Sequence, residues 1–133
     1  MPADTATLTF GNDVHSVTRP GTAPAKVTEF KSSDNYEAID VAIDALDGAL
    51  GLSRRENTRL LVIISDGVFS AEPRRRAQQR LDRLRASGCA VLWLAPNTRG
   101  VRPLTGAIVH RITDPATTAE AIARAATAAV RTA

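Results

Sequence analysis

Two short segments of this 133-residue chain carry most of the residues whose types and spacing suit chemistry. One is the turn Ser32-Ser33-Asp34, which precedes an amphipathic stretch, and the other is Ser65-Asp66-Gly67, which follows an apolar run. Their hydroxyl and carboxylate oxygens are ligands that a hard divalent cation such as Mg²⁺ or Mn²⁺ prefers. The alternative is structural, because Asp-Gly commonly ends a strand and Ser or Asp commonly caps a helix.

The histidines and the cysteine do not complete a recognisable site. His15 and His110 are separated by most of the chain, and neither has a second His or Cys at ligand spacing, which disfavours a transition-metal site. Cys89 begins an apolar run without a basic neighbour, which predicts a buried structural thiol. The sequence also lacks a phosphate-binding glycine loop, a nucleophile elbow and carboxylates paired at catalytic spacing. We therefore expect a protein that is not an enzyme.

Positive charge is concentrated in arginine, most densely at 74–76, Arg80, Arg83 and Arg85. Such a cluster can bind anions or nucleic acid. No aromatic residues interleave with these arginines, so a solvated helix face is the favoured interpretation and nucleic-acid binding is not expected. The bias toward Arg, Ala and Thr suggests a bacterial source.

Length and composition predict one folded domain over residues 1–133, because 44% of the residues are hydrophobic. No run of eighteen apolar residues and no signal peptide are present, and Cys89 cannot form an internal disulfide. These features predict a cytoplasmic protein.

Hydrophobic periodicity predicts the order hairpin, helix, strand, helix, strand, strand, helix. The hairpin is predicted at 6–10 and 14–18, and the other strands at 59–65, 90–95 and 107–112. The three helices are predicted to begin at Asn35, at about Pro73 and at Thr117. Strands that alternate with helices indicate a doubly wound α/β fold with a mostly parallel sheet. Residues 60–64 of the strand predicted at 59–65 are all apolar, which predicts a central strand.

The same periodicity predicts which side of each helix is buried. The first helix should bury Ile39, Ala42, Ile43, Leu46 and Leu50 and expose Asp40, Asp44 and Asp47. The last helix, with Thr117 and Glu120 at capping-box spacing, should bury Ile122, Ala126 and Val130.

The segment Leu61-Val-Ile-Ile-Ser-Asp-Gly67, a following helix and the strand beginning at Cys89 together resemble the von Willebrand factor A family. The hairpin with its Phe10-Gly11 turn is similar to the second and third strands of that family. The resemblance covers about residues 5 to 131 and implies a Rossmann-like, doubly wound sheet. It also implies that the chain is a protein-protein interaction module.

The resemblance places Asp66 and Ser33 at two elements of a metal-ion-dependent adhesion site for Mg or Mn. Asp34 and Phe69 then flank the site as candidate partner contacts, although Asp34 also suits helix capping and Phe69 suits loop packing. The chain departs from the family in one respect, since the first strand and its Asp-x-Ser-x-Ser loop are absent from these residues. The metal site is therefore incomplete, and the chain is a partial domain of this kind.

The absent strand leaves apolar sheet edges, which three arrangements resolve. The native chain starts further upstream, a partner chain or second copy completes the sheet, or the hairpin pairs directly with strand 59–65. By resemblance, an ATPase of the AAA+ class is an expected partner. Two other functions stay open: a metal-assisted hydrolase with Asp66 as ligand, and a metal-free structural or oligomerising subunit.

Overall fold

The computed structural model describes residues 7–10, 14–18, 39–55 and 58–132. The chain divides into two compact units, Met1–Gly51 with Phe69–Ala77 and Leu52–Val68 with Gln78–Ala133. The elements in chain order are β1 (Thr7–Phe10), β2 (Val14–Thr18), α1 (Ile39–Leu50), β3 (Leu60–Ile64), α2 (Ala71–Ala86), β4 (Ala90–Pro96), β5 (Ile108–Ile112) and α3 (Pro115–Thr132). This order confirms the predicted alternation of strands and helices. The predicted start of the first helix at Asn35 lies outside the described residues.

The first unit contains the predicted hairpin, in which β1 and β2 pair antiparallel. It also contains α1, which buries Ile39, Ala42 and Ile43 as predicted. Asp40 was expected on the exposed side of α1, and that prediction was wrong. The Asp40 side chain is buried because Arg76 of α2 donates from Nε to its carboxylate at 2.9 Å. An ion pair of this kind allows a carboxylate to leave water.

The second unit is built on a parallel sheet with the strand order β3-β4-β5. Leu60 to Ile64 lie in register with Ala90 to Leu94, and Leu92 to Pro96 lie in register with Ile108 to Ile112. A small α/β fold with a parallel sheet is thus present. The predicted central position belongs to β4, whereas β3 lies at an edge of the sheet in the described part of the chain.

Strand β4 is buried on both of its faces, as a central parallel strand should be. Leu92 and Leu94 form one apolar cluster with Ala125 of α3. Trp93 alternates with them on the opposite face and has no exposed surface. Cys89, just before the strand, is 4% exposed, which confirms the prediction of a buried thiol.

Helix α3 packs on the sheet through alanine rather than through its larger residues. Ala125 and Ala129 are buried, whereas Ile122 is 37% exposed and Ala126 is exposed, so the prediction was wrong for Ile122 and Ala126, and the side chain of Val130 lies outside the described part of the chain. Small side chains let the helix backbone approach the leucines of β4 closely. The helix also begins earlier than Thr117, because Asp114 caps it by accepting the Thr117 amide at 2.9 Å.

The Asp114 cap makes the stability of the second unit vary with pH in the acid range. The Thr117 amide, which donates to the carboxylate, holds the pKa of Asp114 below its usual value of 3.8. Its stabilisation is therefore complete above pH 3.8 and is lost as pH falls through the lower, folded-state pKa.

We expect Asp114→Ala to lower the midpoint of thermal unfolding at pH 7, with a difference from the unmodified chain that shrinks toward pH 2. Asp114→Asn, which caps without titrating, should stay close to the unmodified chain at pH 7. Circular dichroism melts at several pH values measure these differences. A constant deficit of the alanine variant down to the most acid pH would contradict the cap as the cause.

No helix in the described part of the chain combines the length and the apolarity needed to cross a membrane.

Candidate functional site

The polar segments that follow β3, β4 and β5 lie at the same edge of the sheet, since the three strands are parallel. Ser65 and Asp66 follow β3, Asn97 follows β4, and Thr113 and Asp114 follow β5. Open α/β sheets bind ligands beyond this carboxyl edge. With β4 between them, the strands that precede Asp66 and Asp114 are roughly 10 Å apart.

The turn at Ser65 and Asp66 is held by hydrogen bonds on every side. Ser65 donates its amide to the Leu94 carbonyl at 3.3 Å, and its own carbonyl accepts the Trp93 indole N–H at 2.9 Å. Its hydroxyl accepts the Gly67 amide at 3.1 Å. Asp66 Oδ1 accepts the Val68 amide at 3.0 Å, which closes an Asx turn. These contacts fix the direction of the chain as it leaves β3.

Gly67 meets a requirement that no other residue type satisfies here. Its φ of 74° lies in the left-handed region, and a Cβ at this position would overlap the Arg102 carbonyl. On the same segment, the Asp66 carbonyl accepts the Arg102 amide at 2.7 Å. The turn therefore lies directly against the loop that joins β4 to β5, and glycine makes that close approach possible.

The loop that joins β4 to β5 is itself anchored at several points. Gln78 of α2 exchanges two hydrogen bonds of 2.9 Å with the backbone of Thr105. Leu104 is 2% exposed, and the Arg111 guanidinium donates to the Thr98 carbonyl at 3.2 Å. A loop fixed in this way gives the Asp66 turn a firm support.

The chain leaving β3 presents an exposed carboxylate between two exposed apolar side chains. Ile64 is 65% exposed and Val68 is 53% exposed, and Asp66 between them is also exposed. Ile63 and Gly67 are buried, so exposure alternates along this segment. We call Ile64, Asp66 and Val68 the β3-end ridge. The ridge thus combines one charged side chain with two exposed aliphatic side chains.

The described residues alone do not fit the divalent site that the family resemblance implies. Within the described ranges, no group of three or more His, Cys, Asp or Glu side chains lies together. One carboxylate oxygen of Asp66 already accepts a backbone amide, as does the Ser65 hydroxyl. Mg²⁺ needs a nearly octahedral oxygen set, which Asp66 cannot supply by itself.

The predicted site residues are found in different parts of the chain. Ser33 and Asp34 lie outside the described residues, so their predicted roles stay predictions. Asp66 is at the carboxyl edge of the sheet and exposed, whereas Phe69 is 9% exposed. A partner-contact role for Phe69 also stays a prediction.

Sequence reasoning missed Ile64 and Val68, because an apolar run ordinarily predicts burial. The available signal was that Ile64 ends the run and that both residues lie two positions from Asp66. Among the clustered arginines, Arg75, Arg83 and Arg85 are exposed on α2.

Comparison with protein-family models, with curated proteins and with solved structures finds no match to this chain.

Proposed function

We propose that this chain is a protein-interaction module of the von Willebrand factor A type, and that it docks its partner through the β3-end ridge. The observation that carries the proposal is the exposed Asp66 carboxylate, which is flanked by Ile64 and Val68 at the carboxyl edge of a parallel sheet. The family resemblance of the Ser65-Asp66-Gly67 segment supports the same interpretation.

The rigidity of the turn favours recognition. Hydrogen bonds from Gly67 and Val68 to Ser65 and Asp66 hold the ridge in one conformation before any partner arrives. A preorganised surface loses little conformational entropy on association, which raises affinity without additional contacts. Docking by this surface requires only the charge and shape of the ridge. An ATPase of the AAA+ class stays the expected partner on the basis of resemblance.

Site-specific photocrosslinking in cells that naturally produce the protein tests the proposal. A benzophenone amino acid placed at Val68 should capture a defined protein partner. The same label at Gln79, which is exposed on α2, is the matched control and should not capture that partner. We expect Asp66→Asn in the Val68-labelled chain to reduce capture about tenfold, because a desolvated charge-assisted contact contributes roughly 1.5–3 kcal/mol.

Asparagine keeps the acceptor that closes the Asx turn, so Asp66→Asn isolates the loss of charge from a loss of structure. Circular dichroism should show the same fold for both chains. Capture should also persist after removal of divalent cations by EDTA, since the ridge acts without a metal. Equal capture from Val68 and Gln79, or capture that does not depend on Asp66, would refute docking at the ridge.

A further inference from the structure

We infer that the partner adds an extended segment to the outer edge of β3 as a fourth strand, with alternating apolar residues and a Lys or Arg beside Asp66. This inference rests on the proposed function, because it specifies how the same surface recognises its partner. Four observations carry it: backbone direction, strand composition, the contrast with β5, and the charge of the ridge.

The backbone groups of β3 alternate between its two sides. The Arg59 carbonyl accepts the Ala90 amide at 3.1 Å, and the Ser65 amide donates to the Leu94 carbonyl at 3.3 Å, so odd-numbered residues direct their polar backbone groups toward β4. The N–H and C=O groups of Leu60, Val62 and Ile64 therefore point away from the sheet. No strand in the described part of the chain pairs with this side of β3.

The composition of β3 is that of a central strand, although in the described part of the chain it lies at an edge of the sheet. All five residues are aliphatic, with the sequence Leu-Leu-Val-Ile-Ile, and no charge, proline or bulge interrupts them. Proteins ordinarily protect an exposed edge with such features, because an unprotected apolar edge accepts strands from other chains. The exposure of Ile64, at 65%, is the largest among the large hydrophobic side chains of the described residues.

Strand β5, at the other edge of the sheet, also exposes apolar side chains, with Ile108 54% and Val109 48% exposed, but unlike β3 it carries a charged residue. It includes His110 and Arg111, and the charged Arg111 side chain is exposed. Charged residues on an edge strand oppose pairing with another chain. In the described part of the chain the two edges therefore differ in charge, and the uncharged one is β3.

The ridge determines the chemistry of the incoming segment. A strand that runs along β3 extends past the exposed Asp66 carboxylate, where a Lys or Arg side chain supplies the opposite charge. The strand's apolar residues would cover Ile64 and the half-buried Leu60 and Val62. Main-chain hydrogen bonds supply affinity in this mode, and alternate side chains supply specificity.

Synthetic peptides test the inference on the full chain. The probes are acetylated, amidated Val-Thr-Val-Thr-Val-Lys and its reversed sequence, each compared with a version that has Glu in place of Lys. Binding is measured by NMR titration of the backbone amides. We expect one Lys peptide to shift the amides of Leu60, Val62 and Ile64, and its Glu version to bind about tenfold more weakly. Equal binding of the Lys and Glu versions would overturn the predicted charge pairing.

The decisive comparison is Ile64→Pro against Ile64→Val. Proline removes the outward N–H without touching the hydrogen bonds to β4, and an edge strand tolerates it there. Valine has a similar size and keeps the N–H. We expect the proline variant to bind the Lys peptide five- to tenfold more weakly than the valine variant, from the loss of one intermolecular hydrogen bond and the altered edge. Circular dichroism confirms that both variants fold.

Equal binding by the two variants would overturn strand addition. In that case the effect of Asp66→Asn separates the two proposals. If Asp66→Asn weakened peptide binding, docking at the ridge would remain supported. If Asp66→Asn had no effect, docking at the ridge and strand addition would both be refuted. Analytical sedimentation of the chain without peptide tests whether a second copy of the chain occupies the β3 edge instead. Concentration-dependent association that Ile64→Pro abolishes would assign the edge to a second copy of the chain and overturn a heterologous partner strand.

Discussion

Gly67→Ala is expected to destabilise the second unit by about 3 kcal/mol, since it combines a strained backbone with a steric overlap. The φ of 74° is unfavourable for any residue with a Cβ, and that Cβ would meet the Arg102 carbonyl, which belongs to an anchored loop. Neither chain segment can move away easily, because the Asp66 carbonyl is bonded to the Arg102 amide. Urea denaturation measures the change in the free energy of unfolding.

Gly100→Ala is the matched control for this substitution. Gly100 has a similar φ of 78°, but a Cβ there would meet nothing within 4 Å. Its replacement should therefore lower the free energy of unfolding only by the cost of a positive φ for a residue with a Cβ, about 1 kcal/mol. The difference between the two variants isolates the contact between Gly67 and Arg102. If both variants lost the same stability, the close approach of the two loops would not be the cause.

Arg59→Leu is expected to cost about 3–4 kcal/mol, because it removes the donor of three buried or half-buried hydrogen bonds. Arg59 is 5% exposed, and its guanidinium donates to the Leu52 carbonyl at 2.8 Å, the Ser87 hydroxyl at 3.0 Å and the Ser87 carbonyl at 2.7 Å. It thereby connects the segment before β3 to the end of α2. Leucine leaves these acceptors without a donor.

Two further variants separate charge from geometry in this contact. Arg59→Lys keeps the charge but loses the planar fork that reaches several acceptors together, so we expect about half of the full loss. Arg83→Leu, at an exposed position on α2, should change stability by less than about 0.5 kcal/mol. Full stability in Arg59→Lys would show that one charged donor is sufficient and that the fork is not needed.

The order of the elements was predictable because each one has a local signal. Strand β4 is a continuous apolar run, and β1 of the hairpin alternates polar and apolar residues before a Gly-Asn-Asp turn, so local patterns identify both. The errors arose where a distant residue decides the outcome. Asp40 is buried because Arg76 is its partner, and α3 buries Ala125 rather than Ile122 because a small residue fits against β4. No local pattern contains that information.

The site was predictable in part for the same reason. Asp66 could be chosen from the Ser-Asp-Gly sequence at the end of an apolar run. The exposure of Ile64 could not be predicted in this way, because the composition of β3 is typical of a central strand. Its edge position in the described part of the chain depends on which other strands are present. The contact between Gly67 and Arg102 spans a long stretch of sequence and also leaves no local pattern.

The buried thiol of Cys89 is a natural reporter of how often the surrounding structure opens. It is 4% exposed and lies at the entrance to β4, so a thiol reagent can reach it only when that part of the sheet opens. The sequence contains a single cysteine, so each modified molecule gains a single mass increment. Mass spectrometry of timed labelling reactions therefore reads the opening equilibrium of the second unit under native conditions, with neither denaturant nor an introduced probe.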